Sequence, residues 1–405
     1  MNMPNPMLDR TPTIPSDGEL SVRILTSIPE IEGLRPAWEA MQWHPNADID
    51  YYLLINRLHQ QRPHVIVISR GGRVLTIGVG RVGVRRLKCA IGYKTVFAPQ
   101  VKELAIISGG LMGAVDEVTL PLIIQSLSAS LQGGAAEVVT LTEVKTDSPL
   151  WGLARHSPFL PCRDFAPKPQ LHYGMALPKS VDGLFQNMKS KHRMNLKRLS
   201  KVLERDFPGE VRIRCFQTGG EVDQFCTEAE RIAAKSYLRS LGVGFFDNAA
   251  ARDQISLYTI RGAFRGYILY IKNQPCAFWY GNRYGAIFFV GMTAFDPQYS
   301  DYEIGTILLV KMFEDLVQNG AGLTHFDFGL GEAAYKSKFS TEIWEEATLH
   351  IFAPTMRSIG INLVRTPILM GRNLAQSALK RLQWEGRIKR FLRGRRAASA
   401  TKVNQ

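Results

Sequence analysis

The chain has 405 residues, 45% of them hydrophobic and 21% charged, with 50 Lys and Arg against 36 Asp and Glu, for a formal net charge of +14. Single cores stop growing near about 250–300 residues, so this length implies two or three domains, and the ordinary composition excludes collagen, coiled coil and wholesale disorder. The longest uncharged apolar run, from Leu104 to Val115, is too short to span a bilayer and is interrupted by Gly109, Gly110 and Gly113.

The charge is concentrated. From Arg365 to Gln405 there are 11 Lys and Arg and one acid, Glu385, and from Lys189 to Arg205 seven Lys and Arg and one acid, Glu204, leaving a net −2 over the remaining 347 residues. Five cysteines (Cys89, Cys162, Cys215, Cys226, Cys276) form no CxxC pair, and their odd number argues against a disulfide framework. The eight histidines show no ligand spacing, so no metal is expected. With no apolar leader segment in the first 20 residues, a cytoplasmic protein is expected.

Residues 1–20, rich in Pro, Asn and Asp, read as a flexible arm. A strand at 22–25 and a short helix at 34–41 follow, the latter from the spacing of Leu34, Trp38 and Met41. Two β-branched runs, 64–69 and 73–79, flank Arg70-Gly71-Gly72 and predict a hairpin. A strand at 104–107, a glycine-rich turn, a helix at 115–131 and a strand at 136–142 complete a first α/β set. Residues 145–170 are proline-rich and read as a connector.

The pattern then restarts. One amphipathic helix is expected over 181–205, then a strand at 211–216, a helix at 221–237 and three strands at 266–272, 275–282 and 286–292. A helix at 304–318 and strands at 323–328 and 348–352 follow. The doubled order predicts an α/β (α+β) protein of two domains, 21–165 and 166–355, with a basic amphipathic tail at 356–405.

Chemistry concentrates between Phe288 and Phe339. A helix entered through Gly305 directly after a strand exposes backbone N–H groups and the positive dipole end, which suits a pyrophosphate. The same residues also allow a capping box, Ser300-x-x-Glu303, with no ligand. On the next strand Phe326 and Phe328 share one face, His325 and Asp327 the other. Glu332, Tyr335, Lys336 and Lys338 follow Gly329-Leu-Gly331, either as an active-site rim or as a solvated turn with Glu332 and Lys336 paired.

The segment Phe326-Asp-Phe-Gly-x-Gly-x-x-x-Tyr335-Lys336-x-x-Phe339, after a helix opened by Gly305, resembles the C-terminal signature of Gcn5-related N-acetyltransferase (GNAT) domains. In particular it is similar to the CelD/BcsL cellulose-biosynthesis acetyltransferase group. Met188–Leu199 resembles that group's basic helix, and Ser148-Pro-Leu-Trp151 the end of its first half. The resemblance implies two tandem GNAT-like domains, each a mixed, mostly antiparallel sheet flanked by helices. It implies an acyl-CoA-dependent N- or O-acyltransferase that takes acetyl-CoA or a longer acyl-CoA as co-substrate and a small-molecule or polysaccharide-precursor acceptor. A non-catalytic GNAT-like scaffold and an aminoacyl-tRNA-dependent transferase of the peptidoglycan-bridge type are the alternatives.

By the same resemblance Ile304, Gly305 and Thr306 would donate amides to the pyrophosphate and Val290 lies on the strand whose amide polarises the thioester. Asp327 would be base or acceptor-positioning carboxylate with Glu332 as substitute, and Tyr335 proton donor to sulfur. Lys336 would meet a phosphate or a substrate carboxylate. The pattern departs at Asp301 and Glu303, which place negative charge beside the phosphate site. In the first half the equivalent place is Ser108–Gly113, without a Tyr-Lys partner, so that half is read as non-catalytic. The basic helix at 189–205 is read as a solvated face or a grip for an anion. The tail is read as docked on the protein's own body or as contacting anionic lipid at the inner membrane face; nucleic acid is not expected, since no aromatic platform accompanies it.

Overall fold

The computed structural model describes residues 18–381 except 93, 187, 237, 238, 240 and 241. Most of the expected arm (1–20) and the end of the expected tail (382–405) lie outside the described residues. The chain divides into two compact units: a first made of 18–169 and 345–381, and a second made of 170–344. The second domain was expected to reach 355; instead the chain re-enters the first unit at Glu345.

The first unit begins with β1 (Leu20–Leu25), α1 (Ile28–Gly33), α2 (Arg35–Met41) and α3 (Ile49–Leu58). It continues through β2 (Arg62–Arg70), β3 (Arg73–Arg86), the small hairpin β4 (Cys89–Ile91) and β5 (Lys94–Phe97), β6 (Gln100–Gly113), α4 (Thr119–Gln132), β7 (Val138–Lys145) and α5 (Pro149–His156). The second unit holds β8 (Gln170–Ala176), α6 (Val181–Gln186), α7 (Ser190–Asp206), β9 (Val211–Phe216), α8 (Val222–Lys235), α9 (Ala249–Ile260), β10 (Phe264–Ile271) and β11 (Gln274–Tyr284). It ends with β12 (Ile287–Phe295), α10 (Ile304–Asn319), β13 (His325–Leu330) and α11 (Ala334–Phe339). Then come β14 (Glu342–Phe352), whose residues from Glu345 belong to the first unit, and α12 (Met356–Arg381).

In the first unit the strand order is β1-β2-β3-β6-β7-β14, antiparallel throughout except for the β6–β7 pair. The β2–β3 hairpin closes through Gly71 and Gly72, both at positive φ (54° and 82°), the backbone such a two-residue turn demands. Ile66, Leu104, Ile106, Val139 and Leu141 pack with Ile123 and Leu127 of α4 on one face. Val65, Val67, Ile77 and Val79 meet Trp38 and Tyr52 on the other. Alternation along each strand thus feeds two cores.

The glycine-rich segment 108–113, expected to be a turn, is the end of β6. Gly109 is at φ 69° and a Cβ there would lie 2.2 Å from the His44 Cβ, so these glycines serve a bulged strand packed tightly against its neighbour rather than an anion loop.

In the second unit the order is β8-β13-β12-β11-β10-β9, again with one parallel pair, β12–β13. Tyr173, Met175, Trp279, Phe288, Phe326 and Phe328 face the helices α6, α7 and α10. Phe216, Phe264, Ile268, Phe278 and Tyr280 face α8 and α9. The single helix expected over 181–205 is two helices, because Lys189 is extended (ψ 134°); Leu184, Met188 and Leu196 thereby reach the same core.

Candidate active site

The site begins where two parallel strands part. β12 pairs with β13 only over Ile287–Phe289 against His325–Asp327. Beyond that point β12 continues to Phe295 paired with β11 alone, and β13 to Leu330 paired with β8 alone. The facing backbone edges therefore lose their ladder partners and leave a gap bordered by N–H and C=O groups. A bulge sharpens the divergence: the register with β11 slips between Tyr280 and Gly281, leaving Gly291 as the extra residue of β12. A Cβ on Gly291 would lie 2.3 Å from the Tyr280 ring. Val290, expected beside the thioester, is the first residue of β12 past the parallel pairing.

At the gap's lower end sits Asp327. Its alternation with Phe326 and Phe328 turns it away from α10, to the opposite face of the sheet. It is 7% exposed. Its Oδ1 lies 2.8 Å from His172 Nε2 and accepts a hydrogen bond of 2.6 Å from the Gly329 amide. The His172 ring stacks on Trp344 at 4.3 Å between centroids and 14° between planes. The carboxylate expected as base or acceptor-positioning group is thus half of a buried Asp–His pair.

His172 was absent from the sequence reading. Its strand, β8, follows the proline-rich stretch 145–170, and no element is predicted between 171 and 180. The signal was the alternation Leu171, Tyr173, Met175 against His172 and Gly174, which is a strand pattern.

Tyr335 lies on the other face, that of α10. Its ring meets Trp279 edge-on at 5.2 Å and Phe328 at 6.2 Å. Trp279 Nε1 donates to the Gly305 carbonyl at 2.9 Å, which ties Tyr335's wall to the first turn of α10. Tyr335 and Asp327 therefore do not meet; they flank the gap from opposite sides. Glu332 is exposed at the turn between β13 and α11.

Lys336 departs from its expected role. Its Nζ is buried and donates to the carbonyls of Gly329 (3.0 Å) and Leu330 (2.8 Å). Burial lowers its pKa to about 8, against the opposing pull of Asp327. Two of its three protons are engaged in pinning the Gly329–Gly331 turn, in which both glycines have positive φ (70° and 93°). It positions the chain between Asp327 and Tyr335 rather than reaching for a phosphate, and it does not pair with Glu332.

The entry of α10 also differs. The capping box at Ser300 does not form; the Glu303 amide donates to the Ser300 carbonyl, and Glu303 itself is left-handed at φ 49°, ψ 41°. The Thr306 amide donates to the Glu303 carbonyl at 2.8 Å. Of the three expected donors, Ile304 and Gly305 keep the unsatisfied amides of a first helical turn and Thr306 does not. Ile304's side chain is buried in the core, and only ordinary contact with Phe295, at 3.4 Å, would meet a Cβ on Gly305.

Among the described residues no group of three His, Cys, Asp or Glu could hold a metal ion. Comparison with known proteins places this geometry. Residues 190–337, from the start of α7 into α11, match the acetyltransferase (GNAT) domain. No curated protein matches the sequence. The fold is similar to the crystal structure of FemX, with a TM-score of 0.54 at 10% identity, over 82% of this chain and 97% of that one. It is also similar to a tandem GNAT protein from the clavulanic acid biosynthesis pathway, with a TM-score of 0.50 at 11% identity, over 83% of this chain and 99% of that one. The second unit matches a GNAT acetyltransferase domain, and this match supports an acyltransferase.

Proposed function

We propose that the second unit transfers an acyl group from a coenzyme A thioester to an amine or hydroxyl, in the manner of the CelD/BcsL-like group that its 326–339 segment resembles. The observation that carries this reading is the parting of β12 and β13 after Phe289 and Asp327, with the Asp327–His172 pair on one side and Tyr335 on the other. An extended chain with amide groups, such as pantetheine, fits a gap bordered by unpaired backbone. The amides of Ile304 and Gly305, at the positive end of α10, suit the pyrophosphate.

In this reading the acceptor's lone pair attacks the thioester carbonyl within the gap. Its proton passes to the Asp327–His172 pair, the C–S bond breaks, and the departing sulfur takes a proton from the Tyr335 hydroxyl. Lys336 holds the turn that fixes the spacing of the two flanks.

A second reading, a scaffold without a donor, is favoured by the Thr306 amide being satisfied within the chain and by the Glu303 carboxylate at the entry of α10. Calorimetric titration with acetyl-CoA and with longer acyl-CoAs separates the two. Saturable binding is expected, and no heat at millimolar ligand leaves the scaffold.

A further inference from the structure

The helix α12 has a buried, largely polar face and an exposed apolar one. Ser358, Ile361, Asn362, Arg365 and Leu369 form its buried face. On the opposite side, at the spacing of successive turns, stand Met356, Leu363, Met370 and Leu374, exposed by 91%, 68%, 49% and 73%. Pro367 and the glycines 360 and 371 fill the rest of that side, so it has no charge over 356–375. A helix docked on its own domain ordinarily turns charged residues outward. Here the outward side needs a cover.

Two other segments of the first unit pack against the buried face of α12. Asn362 Nδ2 donates to the carbonyls of Pro161 (3.1 Å) and Arg163 (2.8 Å), and Cys89, Ala166 and Leu369 are buried together with Phe97 beside them. The β4–β5 hairpin and the turn at 159–162 are thereby fixed next to α12. Both expose large apolar side chains, Ile91 at 51%, Phe159 at 68% and Leu160 at 58%.

The segments themselves carry cations and almost no acids; the acids that reach them are Glu137, paired with Arg357, and Glu103, paired with Arg85. Segments 84–97 and 353–381 contain no Asp or Glu, whereas 84–97 holds Arg85, Arg86, Lys88 and Lys94. The one acid of 154–166, Asp164, is buried and bound by Arg365 at 2.8 Å. In sequence, 380–405 adds nine Lys and Arg against Glu385.

We propose that the outward side of α12, with the β4–β5 hairpin and the turn at 159–162, docks on an anionic lipid surface. An uncharged apolar strip bordered by cations is the profile of an interfacial helix, which lies in the headgroup plane. A second copy of the chain is a poor cover, since it would bring the same cations face to face. Spanning is excluded for the described residues, where no helix is long and apolar enough to cross a membrane. The surface lies wholly in the first unit and does not depend on the acyl-transfer reading.

Flotation of the full chain with phosphatidylcholine vesicles, with and without phosphatidylglycerol, tests this. The protein is expected to float with the anionic vesicles and not with the neutral ones. The double variant Leu363→Glu, Met370→Glu is expected to lose at least about tenfold in bound fraction. Both side chains are exposed, so its circular-dichroism melt should match that of the parent. Parent protein left in solution with anionic vesicles would overturn the proposal, as would a variant that floats equally well. If neither floats and the variant sediments as a smaller species than the parent, a second copy covers the strip and lipid does not.

Discussion

At the residue scale the proposed reaction turns on Asp327, whose setting is fixed by what it touches. A carboxylate that accepts from the Gly329 amide and faces His172 at 2.8 Å is held in one orientation. Asp327→Asn keeps the shape but loses the charge, and turnover with a saturating acyl-CoA donor should fall by about 10²–10⁴-fold with little change in melting temperature. Unchanged turnover would remove Asp327 from the mechanism. Tyr335→Phe should lower kcat by a similar factor and leave donor affinity unaltered in calorimetry, since only the hydroxyl is lost. Lys336→Met tests the positioning role: it frees two half-buried carbonyls and should cost about 1–3 kcal/mol in chemical denaturation. A variant as stable as the parent would mean that the Gly329–Gly331 turn holds itself. Asp327 and Tyr335 were legible because they lie eight residues apart in one motif. His172 was not, because its partner is 155 positions away and sequence patterning carries no information about which strand lies beside which.

At the element scale, α12 shows what a basic composition conceals. Its charge suggested a tail, but Arg365 is buried and donates to both oxygens of Asp164, at 2.8 and 3.2 Å, with His350 Nδ1 3.1 Å from the same carboxylate. This cluster fastens α12 to β14 and to the connector. The Ala166 amide adds a further bond to Asp164 at 3.0 Å. Burial pushes the Asp164 carboxyl up, but His350 and Arg365 outweigh it and hold it far below the usual carboxylate range. Burial likewise lowers the pKa of His350, which stays neutral in the fold. An unfolded imidazole takes up a proton near pH ~6.5 and the folded one only below that. The contribution of His350 is therefore complete above that pH and is lost as pH falls through the lower folded value. Asp164's share follows below the ordinary carboxylate pKa, near ~4, and is lost on further acidification. Thermal melts should show the midpoint falling between pH 7.5 and 5, and His350→Gln should flatten that slope. Arg365→Met leaves Asp164 charged and buried and should cost about 3–5 kcal/mol at neutral pH. A cost below about 1 kcal/mol would show the cluster to be loosely packed.

At the scale of the whole molecule the two units repeat one plan, and the difference between them lies in how the parallel pair ends. In each, an antiparallel strand, a helix and a parallel strand follow in order: β6, α4, β7 in the first and β12, α10, β13 in the second. This doubling was legible because periodicity and turn residues fix the order of elements. The return of the chain to the first unit after Trp344 was not legible, because a terminal strand of alternating residues fits the edge of either sheet. In the second unit the strands part and leave backbone edges without strand partners. In the first, the pairing ends at Ile106 and Leu141, and side chains then lace the seam: Thr142 Oγ1 donates to the Ile106 carbonyl at 2.6 Å and Ser108 Oγ bonds the Glu143 carboxylate. A seam closed by side-chain hydrogen bonds offers an extended ligand no backbone to pair with. Donor binding should therefore show a stoichiometry of one acyl-CoA per chain, and Gly291→Ala, which forces the Tyr280 ring out of its place beside the gap, should weaken it. Two equivalents bound, or binding by the parent and by Gly291→Ala with equal affinity, would place the donor somewhere other than between β12 and β13.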